Sequence, residues 1–118
     1  MYISGFVVAV PEGNKGAYRD VAEQFWEVAK DYGALELVEA WEADVPEGKQ
    51  TDFRRAVDLK EGEKVVFSWV IWPDKATADA SQDKMMSDER MEAPSDSLPF
   101  DGKRMIYGGF EPLVVRGR

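Results

Sequence analysis

Two strand-length segments that are apolar on both faces most constrain what this chain can fold into. They span residues 2–10 and 64–72, and the second reads KVVFSWVIW. Successive side chains of a β-strand point to opposite faces of its sheet, so a strand that is apolar at nearly every position must be covered on both sides. Both segments are therefore predicted to be central strands of one sheet.

Between these two strands the pattern predicts a helix and then an edge strand. Apolar residues recur at steps of three and four over 16–32, Asn14 precedes them as an N-cap, and Gly33 follows as a stop signal. Residues 35–44 alternate with a period of two, and one of their faces is half charged. That alternation is typical of an edge strand that faces water.

The segments around the second apolar strand are less regular. Residues 45–51 form a loop rich in Pro and Gly, and residues 52–60 have no decisive pattern. After the strand, Pro73-Asp74 opens a second helix that is expected to run to about Arg90.

A polar loop that contains Pro94 and Pro99 leads to the last predicted strand, over 103–115. Gly108-Gly109 and a proline interrupt that strand. Because proline is tolerated in sheets mainly at edges and bulges, the strand is predicted to be an edge or a bulged one, with the glycine pair at the bulge.

The resulting element order, β-α-β-β-α-β, predicts an α+β fold with a ferredoxin-like arrangement. In that arrangement the strand order is four-one-three-two, two helices cover one face of an antiparallel sheet, and strands one and three are central. The 118 residues suit a single domain over 1–118. The second sheet face also needs a cover, and we expect a sheet-to-sheet homodimer, a dimeric α/β barrel. The alternative is that loops 45–60 and 91–102 fold over that face.

Composition excludes several classes of function. The chain has no His and no Cys, which removes Ser-His-Asp triads, thiolate nucleophiles and His- or Cys-ligated metals. Fifteen Lys and Arg against 23 Asp and Glu give a net charge of −8, which disfavours nucleic acid as a partner. The first apolar run lacks a basic start and is too short to span a membrane, so we expect a cytoplasmic protein. No cofactor is expected, and the carboxylates of 79–89 are too unspecifically spaced to predict a metal site.

Four segments together resemble a known family. They are residues 52–57 (DFRRAV), 66–70 (VFSWV), 84–88 (KMMSD) and 99–111 (PFDGKRMIYGGFE). The sequence is similar along nearly its whole length to the YbaA-like family of small bacterial proteins, domain of unknown function 1428. The resemblance implies the dimeric α/β-barrel fold shared with small monooxygenases and related enzymes. It implies no activity, because the family has no established one.

The candidate site residues are aromatic and cationic side chains. Aromatics on the sheet opposite a second helix of mostly Ala and Ser suggest space for a small aromatic or anionic ligand between helix and sheet. Without His, Tyr107 is the one candidate for proton transfer. The predicted ligand-binding residues are Trp41, Arg54, Trp69, Trp72, Lys84, Phe100, Lys103, Arg104 and Tyr107.

The same residues can also be explained by purely structural roles. Asp101-Gly102 is a sequence typical of turns, and Lys103 and Arg104 can protect an edge strand from pairing with another chain. Arg54 can form ion pairs with surface carboxylates. Small residues on the second helix equally suit close packing against large sheet side chains. The open hypotheses are therefore a dimeric small-molecule protein, which would include a cofactor-independent enzyme, and a non-catalytic dimeric module that binds a partner. RNA stacked on Tyr2, Phe67 and Trp69 is disfavoured by the charge.

Overall fold

Four antiparallel strands form one open sheet in the order β2-β3-β1-β4 in the computed structural model, which describes residues 1–91 and 98–117. Strands β1 and β3 are central and pair over their full lengths, as their apolar faces predicted. The strands are β1 (Tyr2–Pro11), β2 (Glu36–Trp41), β3 (Glu63–Trp72) and β4 (Ile106–Phe110).

Within the described residues three α-helices join the strands, and the α+β architecture is consistent with a ferredoxin-like fold. They are α1 (Lys15–Ala29), α2 (Phe53–Ala56) and α3 (Lys75–Met86), with short 3-10 turns at 12–14, 30–32, 89–91 and 102–104. Helix α2 is a single turn within the stretch whose sequence had no decisive pattern. Its first N–H groups are capped by Asp52, which accepts a 2.8 Å hydrogen bond from the Arg55 amide.

The helical segment formed by α1 and the 3-10 turn 30–32 ends at the predicted glycine, but the start of α1 is capped differently from the prediction. Gly33 has a φ of 107°, in the left-handed region that glycine adopts without strain. Asn14 occupies the N-cap position of α1, as predicted, but its side chain forms no capping hydrogen bond. Asn14 belongs to a 3-10 turn that leads directly into the helix, and its Nδ2 instead donates a 3.0 Å hydrogen bond to the Pro99 carbonyl.

Helix α3 is shorter than predicted, because polar side chains form hydrogen bonds where its last turn was expected. Asp74 caps its start by accepting a 2.7 Å hydrogen bond from the Thr77 amide. The helix ends at Met86 instead of Arg90. Beyond it, the Asp88 carboxylate accepts hydrogen bonds from the Tyr32 hydroxyl at 2.7 Å and from the Arg90 guanidinium at 2.8 and 3.0 Å.

The last strand is also shorter than predicted, and it is not bulged. Residues 102–104 form a 3-10 turn and pairing stops at Phe110. Gly108 lies opposite Gly5 in an unbroken register with β1. The glycines allow aromatic rings to approach the backbone closely. A Cβ at Gly109 would overlap the Tyr2 hydroxyl, and the Phe110 ring lies over Gly5. Strand β4 is nevertheless an edge strand, as expected.

Strand β2 lies at the opposite edge, and it stops earlier than the alternation predicted. Past Trp41 the Glu42 amide still donates a 2.9 Å hydrogen bond to the Val65 carbonyl, but the Val65 amide donates its 3.0 Å hydrogen bond to the Glu42 carboxylate and not to a backbone carbonyl. The chain then leaves the sheet for the loop that contains α2.

Helices α1 and α3 cover one face of the sheet, and the loop around α2 covers one end of the other face. Val57 is 1% exposed and packs with Val7, Ala9 and Val65 on that second face. The predicted cover by loop 45–60 is therefore present over part of the face. The other proposed cover, loop 91–102, is wrong for the residues described: Phe100 packs on the helix-covered face, against Val8 and Tyr18. Pro94 lies outside the described residues.

Candidate functional site

Two clefts open beside α1 on the helix-covered face. One, of about 530 Å³, lies between α1 and β2. It is called the charged cleft here, and its lining includes Lys15, Arg19, Glu23, Glu36, Glu39 and Trp41. The other, of about 340 Å³, lies between α1, the central strands and the segment 98–105. It is called the apolar cleft, and its walls include Phe6, Val21, Phe25, Leu98, Phe100 and Met105.

Glu39 and Tyr18 line both clefts and are hydrogen-bonded to each other. The Tyr18 hydroxyl donates a 2.8 Å hydrogen bond to Glu39 Oε1. Glu39 lies on β2 directly opposite Ser68 of β3, so the serine hydroxyl is also within hydrogen-bonding reach of the carboxylate. Ser68 is only 2% exposed. These three side chains place a polar cluster on an otherwise apolar floor.

Packing holds Tyr18 in place. It lies in the first turns of α1, is 8% exposed, and packs against Val8, Val10 and Val66 of the central strands. The Phe100 ring meets it edge to face, with centroids 5.6 Å apart. A phenol fixed in this way presents its hydroxyl to Glu39 at little further entropic cost.

Burial sets the acid–base properties of the pair. It raises the pKa of the Glu39 carboxyl, and the hydrogen bonds from Tyr18 and Ser68 only partly oppose that rise. Burial and the neighbouring Glu39 charge together raise the pKa of the Tyr18 phenol, so Tyr18 remains a proton donor at neutral pH. The cluster therefore combines a carboxyl of raised pKa with a neutral hydroxyl donor. General acid–base catalysis uses groups of these two kinds.

Two of the predicted ligand-binding residues reach these clefts. Trp41 lines the charged cleft, where Lys15 Nζ lies 5.2 Å from the centre of its ring. Phe100 lines the apolar cleft. No residue of α3 lines either cleft, so the space expected beneath the second helix lies beneath the first one instead. The small residues of α3 allow close packing: Ala78 and Met85 are buried against Val70 and Trp72.

The predicted tryptophans of β3 lie outside both clefts. Trp72 is 4% exposed in the core, and its indole N–H donates a 3.1 Å hydrogen bond to Ser4. Trp69 lies on the opposite face of the sheet, with its ring centre 5.4 Å from that of Phe67. Tyr2 packs on the helix-covered face, so the three rings that could have stacked RNA bases do not share a face.

The predicted cations also lie elsewhere. The Arg104 guanidinium binds Glu63 through two hydrogen bonds of 2.7 and 2.8 Å and also bonds Asp101, so it ties β3 to the turn before β4. Arg54 forms a 3.3 Å ion pair with Glu42. The remaining three predicted residues are exposed and line neither cleft: Lys84, Lys103 and Tyr107.

The central group of the candidate site was not predicted from the sequence, although a signal was present. Glu39 lies between Leu37 and Trp41 on the helix-covered face of β2, where a charged residue is out of place. Ser68 is the one small polar residue within the most apolar segment of the chain. The pairing of the two positions across β2 and β3, which would have connected these irregularities, emerges only from the register.

Comparison with known proteins gives the family. A family model described as "Protein of unknown function (DUF1428)" matches residues 1–102. The chain belongs to this family. It is also 56% identical over 113 residues to "Uncharacterized protein YbaA" of Escherichia coli (strain K12), which covers 96% of this chain and 97% of that protein. The same identity and coverage hold for the protein of that name from Shigella flexneri. The resemblance seen in the four sequence segments is thus confirmed.

Two features are absent from the described part of the chain. Within residues 1–91 and 98–117, no helix has the length and apolar character needed to cross a bilayer. In the same residues, no three or more Asp or Glu side chains are grouped so that they could hold a metal ion. Of the carboxylates near 79–89, Asp79 is paired with Lys75 and Asp88 with Arg90.

Proposed function

We propose that this member of the DUF1428 family is a homodimeric protein that binds a small aromatic molecule in the apolar cleft, where Glu39 performs acid–base chemistry without a cofactor. The observation that carries the proposal is the position of Glu39. A carboxyl of raised pKa, hydrogen-bonded to Tyr18, lies on the floor of an apolar cleft of about 340 Å³. Such a volume is at the small end of ligand sites, and it suits one or two rings.

The cleft walls favour a neutral aromatic ligand over an anionic one. Phe6, Phe25 and Phe100 present aromatic surface to the cavity. The cation at its margin, Arg90, already binds Asp31 at 2.9 Å and Asp88 at 2.8 Å. An anion entering the cleft would therefore meet the Glu39 carboxylate without a free compensating cation from Arg90. Of the two ligand classes considered from the sequence, the aromatic one has the better support.

The proposed dimer uses the part of the second sheet face that the α2 loop leaves open. Phe67, Ile106 and Phe110 are 46%, 44% and 59% exposed there, and Phe53 of α2 packs against Phe67. Apart from Glu63, whose carboxylate is bound by Arg104, the residues of β1, β3 and β4 that share this face are uncharged, which suits burial against an identical surface. A second copy related by a twofold axis presents the same patch, so we assign it as the occupant.

A binding experiment with 2-naphthol tests the ligand site. We expect the compound to raise the melting temperature of the protein and to compete with a second aromatic probe. At a concentration of a hundred times Kd, stabilisation reaches about 2.7 kcal/mol. Phe100→Ala should weaken binding, whereas Phe53→Ala, which removes a ring on the other sheet face, should leave it unchanged. Absence of stabilisation by 2-naphthol and by other neutral aromatics would favour the non-catalytic module.

Sedimentation equilibrium tests the dimer separately. The wild-type protein should have twice the mass of the chain, and Phe67→Lys should shift it toward the monomer. Leu113→Lys is the matched control, because Leu113 is 97% exposed and lies beyond the last strand. A monomeric wild type would contradict the dimer and leave the ligand site to be judged on its own assay. The cytoplasmic location stays a prediction.

A further inference from the structure

The apolar cleft offers very little reactive chemistry among the described residues. Its ionisable side chains are Glu39, Tyr18 and Arg90, and Arg90 is held by Asp31 and Asp88. A carboxylate accepts about four hydrogen bonds. Because a hydroxyl donates only one hydrogen bond, Tyr18 and Ser68 together occupy at most two of these positions. Glu39 therefore keeps the capacity to accept a proton from a molecule bound in the cleft.

We infer that Glu39 is the general base of a cofactor-independent tautomerase, which removes a proton from the carbon next to a carbonyl group of an aromatic ketone bound in the apolar cleft. This inference rests on the proposed function, and it adds the reaction class and the substrate class. In the first step the C–H bond breaks and its proton passes to Glu39. The electron pair of that bond forms the C=C bond of an enolate, and the carbonyl π electrons move to the oxygen.

Tyr18 is placed to respond to this step. Before the reaction its hydroxyl donates to Glu39 at 2.8 Å. Once Glu39 carries the abstracted proton, its oxygen is a weaker acceptor, and the Tyr18 hydroxyl is free to donate to the enolate oxygen instead. Glu39 then returns its proton to the oxygen or the carbon, which gives the enol or restores the ketone. No oxidant, reductant or metal enters the balance.

The second cleft gives this base access to solvent protons. Glu39 lines the charged cleft as well as the apolar one, and the charged cleft also contains Lys15, Arg19 and Glu23. A proton on Glu39 therefore exchanges with water through the charged cleft while the ligand stays in the apolar cleft. The raised pKa of Glu39 prolongs the protonated state, which favours this exchange. Solvent hydrogen should consequently enter the carbon next to the carbonyl.

The test is deuterium incorporation into 2-tetralone in D2O, followed by the loss of its C1 proton signal in NMR. Wild-type protein should accelerate the exchange above the buffer rate. Glu39→Gln should reduce that acceleration at least about 10²-fold, the usual minimum contribution of a general base. Tyr18→Phe should reduce it less. Glu61→Gln, a conservative change at an exposed loop position away from both clefts, should exchange at the wild-type rate.

Binding of 2-tetralone is measured in parallel by thermal shift, so that two kinds of failure are separated. Stabilisation of wild type by 2-tetralone without accelerated exchange, or equal exchange by wild type and Glu39→Gln, would overturn the assignment of the base and leave the binding proposal standing. No stabilisation by 2-tetralone or by 2-naphthol would overturn the proposed function and this inference with it. Retained binding by Glu39→Gln with lost exchange would support both.

Discussion

Replacing Arg104 by alanine should be among the most destabilising single changes on the surface of this protein. Arg104 is 15% exposed at its side chain and Glu63 is 9% exposed, so the ion pair is largely removed from water. The guanidinium also donates to the Asp58 carbonyl at 2.9 Å. Breaking a well-buried pair costs about 3–5 kcal/mol. Because this pair keeps some solvent contact, we expect a loss of about 3 kcal/mol.

Urea unfolding followed by circular dichroism gives this loss directly. With a slope of about 1–3 kcal/mol per molar urea for a small protein, the midpoint should fall by about 1–3 M. Arg54→Ala is the matched control, because Arg54 is half exposed and its pair with Glu42 is longer, at 3.3 Å. The Glu42 side chain is only 7% exposed, but it keeps its hydrogen bond from the Val65 amide, so removal of the half-exposed Arg54 should cost less, about 1 kcal/mol.

The effect should also depend on pH, with a sign that the structure determines. The hydrogen bonds from Arg104 hold the pKa of Glu63 below its ordinary value of 4.5. A carboxyl whose pKa is lowered by folding stabilises the protein above 4.5, and that contribution disappears as the pH falls through the lowered value. The difference between wild type and Arg104→Ala should therefore shrink in acid. Equal losses for Arg104→Ala and Arg54→Ala, or a difference that is constant with pH, would refute this reasoning.

Three further changes test other parts of the structure by the same unfolding assay. Gly33→Ala should reduce the free energy of unfolding by about 2 kcal/mol, because it forces a positive φ on alanine and brings its Cβ to 2.6 Å from Thr77 Cγ2. Adding Thr77→Ser, which removes that methyl group, should recover only the part of the loss that is due to the steric contact. Val57→Ala should cost about 2 kcal/mol through a cavity beneath the α2 loop, and a negligible loss would show that this loop does not cover the sheet. Folding raises the pKa of Glu39, so the stability of wild type relative to Glu39→Gln should fall as the pH rises above 4.5, and an opposite slope would contradict its burial.

The central part of the fold was predictable because it depends on local periodicity. Residues 2–10 and 64–72 are apolar on both faces, and they became the two central strands. The steps of three and four after Asn14 became α1, and Gly33 ended the turn that follows it. In these segments the intrinsic preference of each residue and the demands of the core agree.

The ends of α3 and β4 were mispredicted because distant side chains decide them. Asp88 accepts from Tyr32, which is 56 positions away in the chain, and this contact helps to take the backbone out of the helix. The glycines of β4 read as a bulge, yet they make room for the rings of Tyr2 and Phe110 in a regular ladder. Neither partner is visible in a local window of sequence.

The sequence by itself determined the family, the order of the four strands and the two longer helices, and the exclusion of His- and Cys-based chemistry, because each of these depends on residue identity or short-range spacing. Only the tertiary structure decided where the candidate site lies. It engaged Arg54 and Arg104 in ion pairs, placed Trp69 on the sheet face opposite the clefts, and brought Glu39, Tyr18 and Ser68 together from two strands and a helix. The physical reason is that burial and proximity, which shift the proton affinity of Glu39, are properties of the folded surroundings and not of the glutamate itself.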